Sequence, residues 1–394
     1  MVLRKELFDL PTGVIYLDGN SLGPLPRAAQ ARVAQMMQDE WGQMLIRGWN
    51  AAGWMDQPGR VGDTVGRLIG APAGTVVMGD TLSVKVYQAV AAALNMVPER
   101  RVILSDTGNF PTDLYMVQGL IEALDRGYEL RLVAPEAVAE AITDDVAVVL
   151  LTQVDYRTGR MHDMEAVTAR AHAAGAVMVW DLAHSAGAVP VDLATCGCAF
   201  AVGCTYKYLN GGPGAPAFIY VRADLANAVE PVLAGWLGHD APFDFDLDYR
   251  PAAGIGRMRV GTPPVIQMAA LEAALEVWEG VDMAALRAAS VALQELFIAE
   301  VEARVPALTL ASPRAAAQRG SQVSFAFEDG YAAMQALIAR GVIGDFRSPD
   351  IMRFGFTPLY LDEDDVRAAV DHIEAVMQDR LWDDPVYQTR AAVT

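Results

Sequence analysis

Cysteine is nearly absent from this chain: three in 394 residues, Cys196, Cys198 and Cys204, all within one short stretch. An odd, crowded set excludes the disulfide framework of a small secreted domain and favours a reducing, cytoplasmic setting. Histidine is also scarce, at five. Cys196-Gly-Cys198 lacks the two-residue gap of a zinc site, so no metal centre is expected. Basic charge is in deficit as well: 30 basic residues against 49 acidic ones leave a net charge of -19. That balance opposes binding to nucleic acid or to an anionic membrane. Long apolar runs are missing. The longest, such as 146-VAVVLL-151, are too short to span a bilayer, and the opening MVLRKELFDLPTG is too polar for a signal peptide.

What is present is an alternation of patterns. At 53% hydrophobic, the chain can bury a large core. Helical spacing near 61–69, 83–97, 112–126 and 163–174 alternates with strand-like runs at 101–106, 129–134, 146–152, 176–181 and 216–221. Strands apolar on both sides suit a mostly parallel sheet covered by helices, an α/β architecture. Before it, 14-VIYLDGNSLGPLP-26 reads as a brief strand and turn, and 27–46 as one helix. After it come a helical stretch over 265–302 broken near Gly280, a strand at 321–329, a helix at 331–341, a strand at 351–356 and a final helix at 363–381. The expected division is an N-terminal segment 1–60 that contributes to the active site, a large α/β domain 61–264 and a smaller α+β domain 265–394.

Candidate chemistry gathers at strand ends. Lys207 follows the apolar run AFAVGC, precedes a glycine-rich turn and is flanked by Tyr206 and Tyr208. An amine placed among aromatics can attack a carbonyl cofactor, although a lysine before a glycine turn is more often a solvated surface residue. Asp181 ends 177-VMVWD-181, where a carboxylate can hold a pyridine nitrogen protonated or simply cap the next turn. The amine and the acid together point to pyridoxal phosphate. His184 is placed to stack on such a ring or to bond Asp181; the other reading is a packed polar group. Leu82 and Ser83 open a helix whose free N–H groups can meet a phosphate, or are merely capped. Phe110 and Asp113, in 106-DTGNFPTD-113, are a stacking ring and an acid, or a cap and a core residue. Arg353, in 351-IMRFGFTPLY-360, is out of place in an apolar strand; its planar fork fits a carboxylate, or serves a surface salt bridge. His162 and His172 read as ordinary loop and helix residues.

Over nearly its whole length the chain resembles the kynureninase family, of the fold type I aminotransferase-like superfamily. The resemblance rests on 18-DGNSLG-23, 108-GNFPTD-113, 155-DYRTG-159, 181-DLAHSAG-187, 204-CTYKYLNGGPGAP-216, 259-RVGTPP-264 and 352-MRFGFTPLY-360. It implies hydrolysis of the Cβ–Cγ bond of L-kynurenine to anthranilate and L-alanine, with a place in tryptophan breakdown. It further implies that Lys207 carries pyridoxal phosphate, Asp181 faces its nitrogen, His184 lies nearby, and Tyr206 bonds the phosphate and moves a proton. Leu82 and Ser83 would hold the phosphate with Trp236 and Thr262 from the second subunit of a homodimer, Phe110 would stack and Asp113 would lie beside the cofactor. Arg353 would hold the substrate carboxylate, and Ser21 and Trp49 would border the aromatic amine end. Animal members have histidine at Trp49 and Ser-Asn at Gly261-Thr262. The residues here therefore imply preference for L-kynurenine, with weaker action on its 3-hydroxy form. An aminotransferase or a cysteine desulfurase would share Lys207 and Asp181, but the latter needs a reactive cysteine on a mobile loop. A non-catalytic interaction protein would be expected to have lost Lys207, Asp181 or Arg353.

Overall fold

The computed structural model describes residues 2–390. Its centre is a seven-stranded sheet in the order Val76–Met78, Phe218–Val221, Phe200–Gly203, Val177–Asp181, Val146–Thr152, Val102–Asp106, Glu129–Val133. The strands from Phe200–Gly203 to Glu129–Val133 are mutually parallel, while Phe218–Val221 runs antiparallel to its two neighbours. Val177–Asp181 shows why such runs become buried strands. Val177 and Val179 enter one apolar cluster with helices Leu82–Met96 and Pro111–Leu124; Met178 and Trp180 enter the other with Gln57–Leu68 and Met164–Ala173. Successive side chains point to opposite faces, and helices cover both. Only strand ends remain for polar work. Asp106, Thr152 and Asp181 terminate three adjacent strands there.

A second, antiparallel sheet orders Asp345–Arg347, Ile351–Gly355, Gln322–Ala326 and Thr309–Leu310. The helices Met283–Arg304, Gly330–Ala339 and Glu363–Gln378 accompany it. The last of these has a full capping box between Asp362 and Asp365, with Glu363, Asp364 and Asp365 in its first turn, as the helix dipole favours. The core of this unit, around Phe297, Phe325 and Phe354, is continuous with one face of the large sheet.

The N-terminal segment is stitched to this last third. Ile15–Tyr16 pairs in parallel with Val342–Ile343, and Leu17 accepts from the Gly355 amide at 2.7 Å. Residues 27–46, expected as one helix, divide into an α-helix at Arg27–Gln35 and a wider π-helix at Met36–Met44. The winding loosens where Glu40 is drawn inward to accept from Trp54 Nε1 at 2.8 Å and to pair with Arg32 at 2.7 Å. Strands Val76–Met78, Val342–Ile343 and Asp345–Arg347 had no counterpart in the sequence reading.

Gly23 joins this segment to the loop that carries Lys207. Its amide donates to Tyr206 O at 2.7 Å, and a Cβ here would lie 2.4 Å from Lys207 O and 2.6 Å from Asn210 Cα. Only glycine allows that approach. Gly23→Ala is expected to destabilise the fold by about 1–3 kcal/mol, the usual effect of overpacking a close contact, read as a lower urea midpoint.

Candidate active site

Beyond the strand Phe200–Gly203 the chain turns through Thr205 and Asn210, whose left-handed φ of 58° returns its amide to Lys207 O at 2.9 Å. The turn holds Lys207 half-buried, with Nζ 2.9 Å from His184 Nε2 and 6.0 and 5.8 Å from the ring centroids of Phe110 and Tyr206. Burial, reinforced by the charges of Lys207, Arg353 and Arg347, holds the His184 imidazole well below its ordinary range. A neutral ring at this distance accepts the bond from Lys207. His184 makes that bond rather than the one to Asp181 considered from the sequence, and its Nδ1 has no partner.

Asp181 is buried, accepts from the Ala183 amide at 2.8 Å and lies 3.2 Å from Thr152 Oγ1. Burial pushes its carboxyl up to about 6, against the opposing pull of Lys207. Asp113 is also buried, and burial followed by the Asp181 charge raises it well above the carboxylate range. Asp113 Oδ2 meets no partner.

The helix Leu82–Met96 starts at Thr81 without a side-chain cap, after Gly79 and Asp80, which both have positive φ. Its first N–H groups are therefore open to an anion. Beneath them is a residue the sequence reading passed over: Lys85, fully buried, with Nζ 2.9 Å from Gln88 Oε1 and 3.3 Å from both Asp80 Oδ2 and Met258 O. A lysine inside the apolar run VKV was the available signal. His162 is also more than an ordinary loop residue. It is buried, with Nε2 2.6 Å from Asp106 Oδ2.

Arg353 is buried as well. Its Nε donates to Asp345 Oδ1 at 2.5 Å, Nη2 reaches Asp345 Oδ2, Nη1 reaches Tyr156 O, and Nη2 donates to Ser21 Oγ at 2.9 Å. One edge of the fork expected to grip a carboxylate is thus taken by Asp345. Ser21, expected with Trp49 beside the aromatic amine end of the substrate, lies at the guanidinium and donates to Asp345 Oδ2 at 2.5 Å. Trp49 packs edge-on against Trp54, with ring centroids 5.7 Å apart. Gly261 and Thr262 are exposed, as is Trp236, whose ring meets Phe243. Among the described residues no recorded bond joins Trp49, Trp236, Gly261 or Thr262 to the Lys207 cluster.

The gathered residues fit pyridoxal phosphate: an amine, a buried carboxylate at a strand end, unpartnered atoms on Asp113 and His184, an aromatic face and an uncapped helix start. Solved structures share the architecture. A cysteine desulfurase from Thermococcus onnurineus NA1 superposes with a TM-score of 0.80 at 18% identity, covering 95% of this chain and 97% of that one. The Escherichia coli cysteine desulfurase CsdA gives 0.79 at 20%, with the same coverage. Fold and site together define a pyridoxal-phosphate-dependent enzyme of fold type I. A family model described as the kynureninase C-terminal domain matches residues 286–373. Kynureninases from Burkholderia pseudomallei (strain 1106a) and Pseudomonas fluorescens are 53% and 51% identical to it, over 99% of this chain and 95% of each relative. The chain belongs to the kynureninase family.

Asp181 makes the cofactor-free protein sensitive to pH. Its folded pKa lies above the unfolded value of about 3.9, so between roughly pH 4 and 6 the unfolded chain binds fewer protons and stability falls as pH rises. Asp181→Asn is expected to remove that share of the decline. The check is the difference in urea midpoint between variant and parent across this window.

Proposed function

We propose that this enzyme hydrolyses the Cβ–Cγ bond of L-kynurenine, with weaker action on 3-hydroxy-L-kynurenine, as a cytoplasmic homodimer whose sites draw on both subunits. The observation that carries the reading is the convergence on Lys207 of a neutral imidazole, two buried carboxyls and an aromatic face, in a chain about half identical to kynureninases. When bound, pyridoxal phosphate supplies a conjugated, electron-accepting ring that takes up negative charge from the substrate's Cα and Cβ. Lys207 would hold the cofactor, and its free amine would take the proton from the substrate's Cα. His184 orients that amine by accepting its hydrogen bond. Asp181 would keep the ring nitrogen protonated through an ion pair, and Asp113, held neutral by burial and the Asp181 charge, is free to donate. Phe110 stacks on the ring. Tyr206 delivers a proton to Cβ as the bond breaks; the neighbouring Cys204, followed by burial, raises its hydroxyl above the ordinary range and keeps it protonated. Water contributes its oxygen to the new carboxylate of anthranilate, and L-alanine leaves.

The open helix start at Leu82 and Ser83 receives the phosphate, joined by Tyr206 and by Trp236 and Thr262 of the partner subunit. Exposed apolar residues support pairing of subunits. Trp236, Phe243, Phe245 and Leu247 form one such run, and Trp41, Leu45 and Ile46 lie exposed in another. Trp49 and Gly261-Thr262 stand where the animal members carry a histidine and a Ser-Asn pair, the partners that would favour a ring hydroxyl. Desulfurase chemistry finds no support, since all three cysteines are buried: burial pushes the Cys204 thiol up, and Cys196, although lowered to about 7 by its bond with Cys198, packs against Thr168 rather than on an exposed loop. Free thiols are in keeping with a reducing compartment.

The decisive assay follows anthranilate and L-alanine release without any added keto acid; a requirement for keto acid would instead mean transamination. Lys207→Ala is expected to abolish the visible cofactor band that borohydride discharges and to lower kcat/KM by at least about a thousandfold. Trp49→His should shift preference toward the 3-hydroxy substrate by roughly tenfold, the worth of one satisfied buried hydroxyl. An unchanged ratio would remove Trp49 from the specificity argument.

A further inference from the structure

Lys85 has no part in the chemistry at Lys207, yet its side chain is wholly enclosed, with 0% exposure. Enclosure disfavours its charge, an effect that Asp80 opposes. An apolar side chain of similar length would avoid that cost. What the ammonium gains is its partners. All three of its hydrogens have acceptors: Gln88 Oε1 at 2.9 Å, Asp80 Oδ2 at 3.3 Å and Met258 O at 3.3 Å.

These acceptors join two segments far apart in sequence. Asp80 lies in the turn before the uncapped helix Leu82–Met96, where both Gly79 and Asp80 have positive φ, and Gln88 is one turn further along that helix. Met258 closes the short helix Gly254–Met258, and its carbonyl also accepts from Gln88 Nε2 at 3.3 Å. Ile255 and Met258 enter the same apolar cluster as Val86, Ala89 and Val90 of the longer helix.

From Met258 the chain runs directly into Arg259, Val260, Gly261 and Thr262. Val260 O accepts from the Leu237 amide at 3.2 Å, and Gly235 lies so close to Val260 that no Cβ would fit there. Trp236 and Thr262, the two residues proposed for the phosphate of the partner subunit, are therefore carried on one hydrogen-bonded unit that begins at Met258. Lys85 and Gln88 hold that beginning in place.

We propose that Lys85 is a positioning residue that couples the two cofactor sites of the dimer. Its ammonium fixes the turn that receives the phosphate in its own subunit and, through Met258 O, the segment that presents Trp236 and Thr262 to the phosphate of the other. The proposal rests on the reading that the sites are shared between subunits. A change at Lys85 is then felt in trans, at a site whose own residues are all intact.

Hybrid dimers assembled from differently tagged subunits test it. In each, one subunit is the parent and the other carries Lys207→Ala, so that the cofactor band discharged by borohydride arises from the parent subunit alone. The second subunit carries no further change, or Thr262→Ala, Lys85→Met or Gln88→Leu. With Lys85→Met, the Kd for pyridoxal phosphate at the parent site is expected to rise roughly 5- to 30-fold, the effect of one misplaced bond to a charged group. The phosphorus-NMR resonance of the cofactor at saturation should shift, which a merely less stable subunit would not cause, while the visible band keeps its position because Lys207 and Asp181 are untouched. Gln88→Leu, which removes the second donor to Met258 O, should act in the same direction with a smaller effect. Unchanged Kd and resonance with Lys85→Met, where Thr262→Ala does weaken the parent site, would overturn the proposal and confine Lys85 to its own subunit. If Thr262→Ala has no effect in trans either, the sites are not shared, and the dimer reading falls together with the proposal. Should Lys85→Met form no hybrid, the Gln88→Leu hybrid decides by the same two readouts.

Discussion

The buried ion pair between Arg353 and Asp345 is the constraint on which the rest of the arrangement depends. The two residues face each other across antiparallel strands. From there Arg353 reaches the N-terminal segment at Ser21 and the large α/β unit at Tyr156 O. One guanidinium therefore ties together three parts of the chain that are distant in sequence. Burying a charge costs several kcal/mol and is tolerated only when bonds satisfy nearly every donor, a condition met here only when all three parts are in place. The geometry that brings the small sheet against the strand ends is thus written in polar contacts, on top of a shared apolar core.

The same pair shows where sequence reading stops. The central strands and their covering helices were legible because a strand buried on both faces must be apolar throughout, as Val146–Thr152 and Val177–Asp181 are. Lys207, Asp181 and His184 were legible because strand ends are where an α/β sheet presents chemistry. Asp345 was not: in GDFRSPD it looks like a surface acid, and only its partner on the next strand reveals it as a buried counter-ion. The resemblance put Ser21 with Trp49 at the aromatic amine end of the substrate, and no local pattern announces its bond to Arg353, which the pairing of Ile15–Tyr16 with Val342–Ile343 brings about. Two-residue strands have no periodicity to read. Long-range partners, rather than local pattern, decided each of these positions.

Charge inside the site follows from unequal hydrogen bonding of equally buried like groups. Asp113 and Asp181 are both enclosed, and the Asp181 charge further disfavours ionisation of Asp113, so one proton is retained between them at neutral pH. Its place is set by their bonds. Lys207 pulls on both, but Asp181 accepts from the Ala183 amide and has Thr152 Oγ1 within 3.2 Å, which stabilise its anion, whereas Asp113 has an oxygen with no partner. The negative charge therefore settles on Asp181 and the proton on Asp113. Burial, reinforced by the charges of Lys207, Arg353 and Arg347, does the converse to His184 and keeps it uncharged. Lys207 thus has an anion within reach of its charge and a neutral acceptor 2.9 Å from its Nζ. A site with that order can pass a proton from Lys207 without first having to discharge a competing imidazolium, and this is what an amine that must alternate between covalent anchor and base requires.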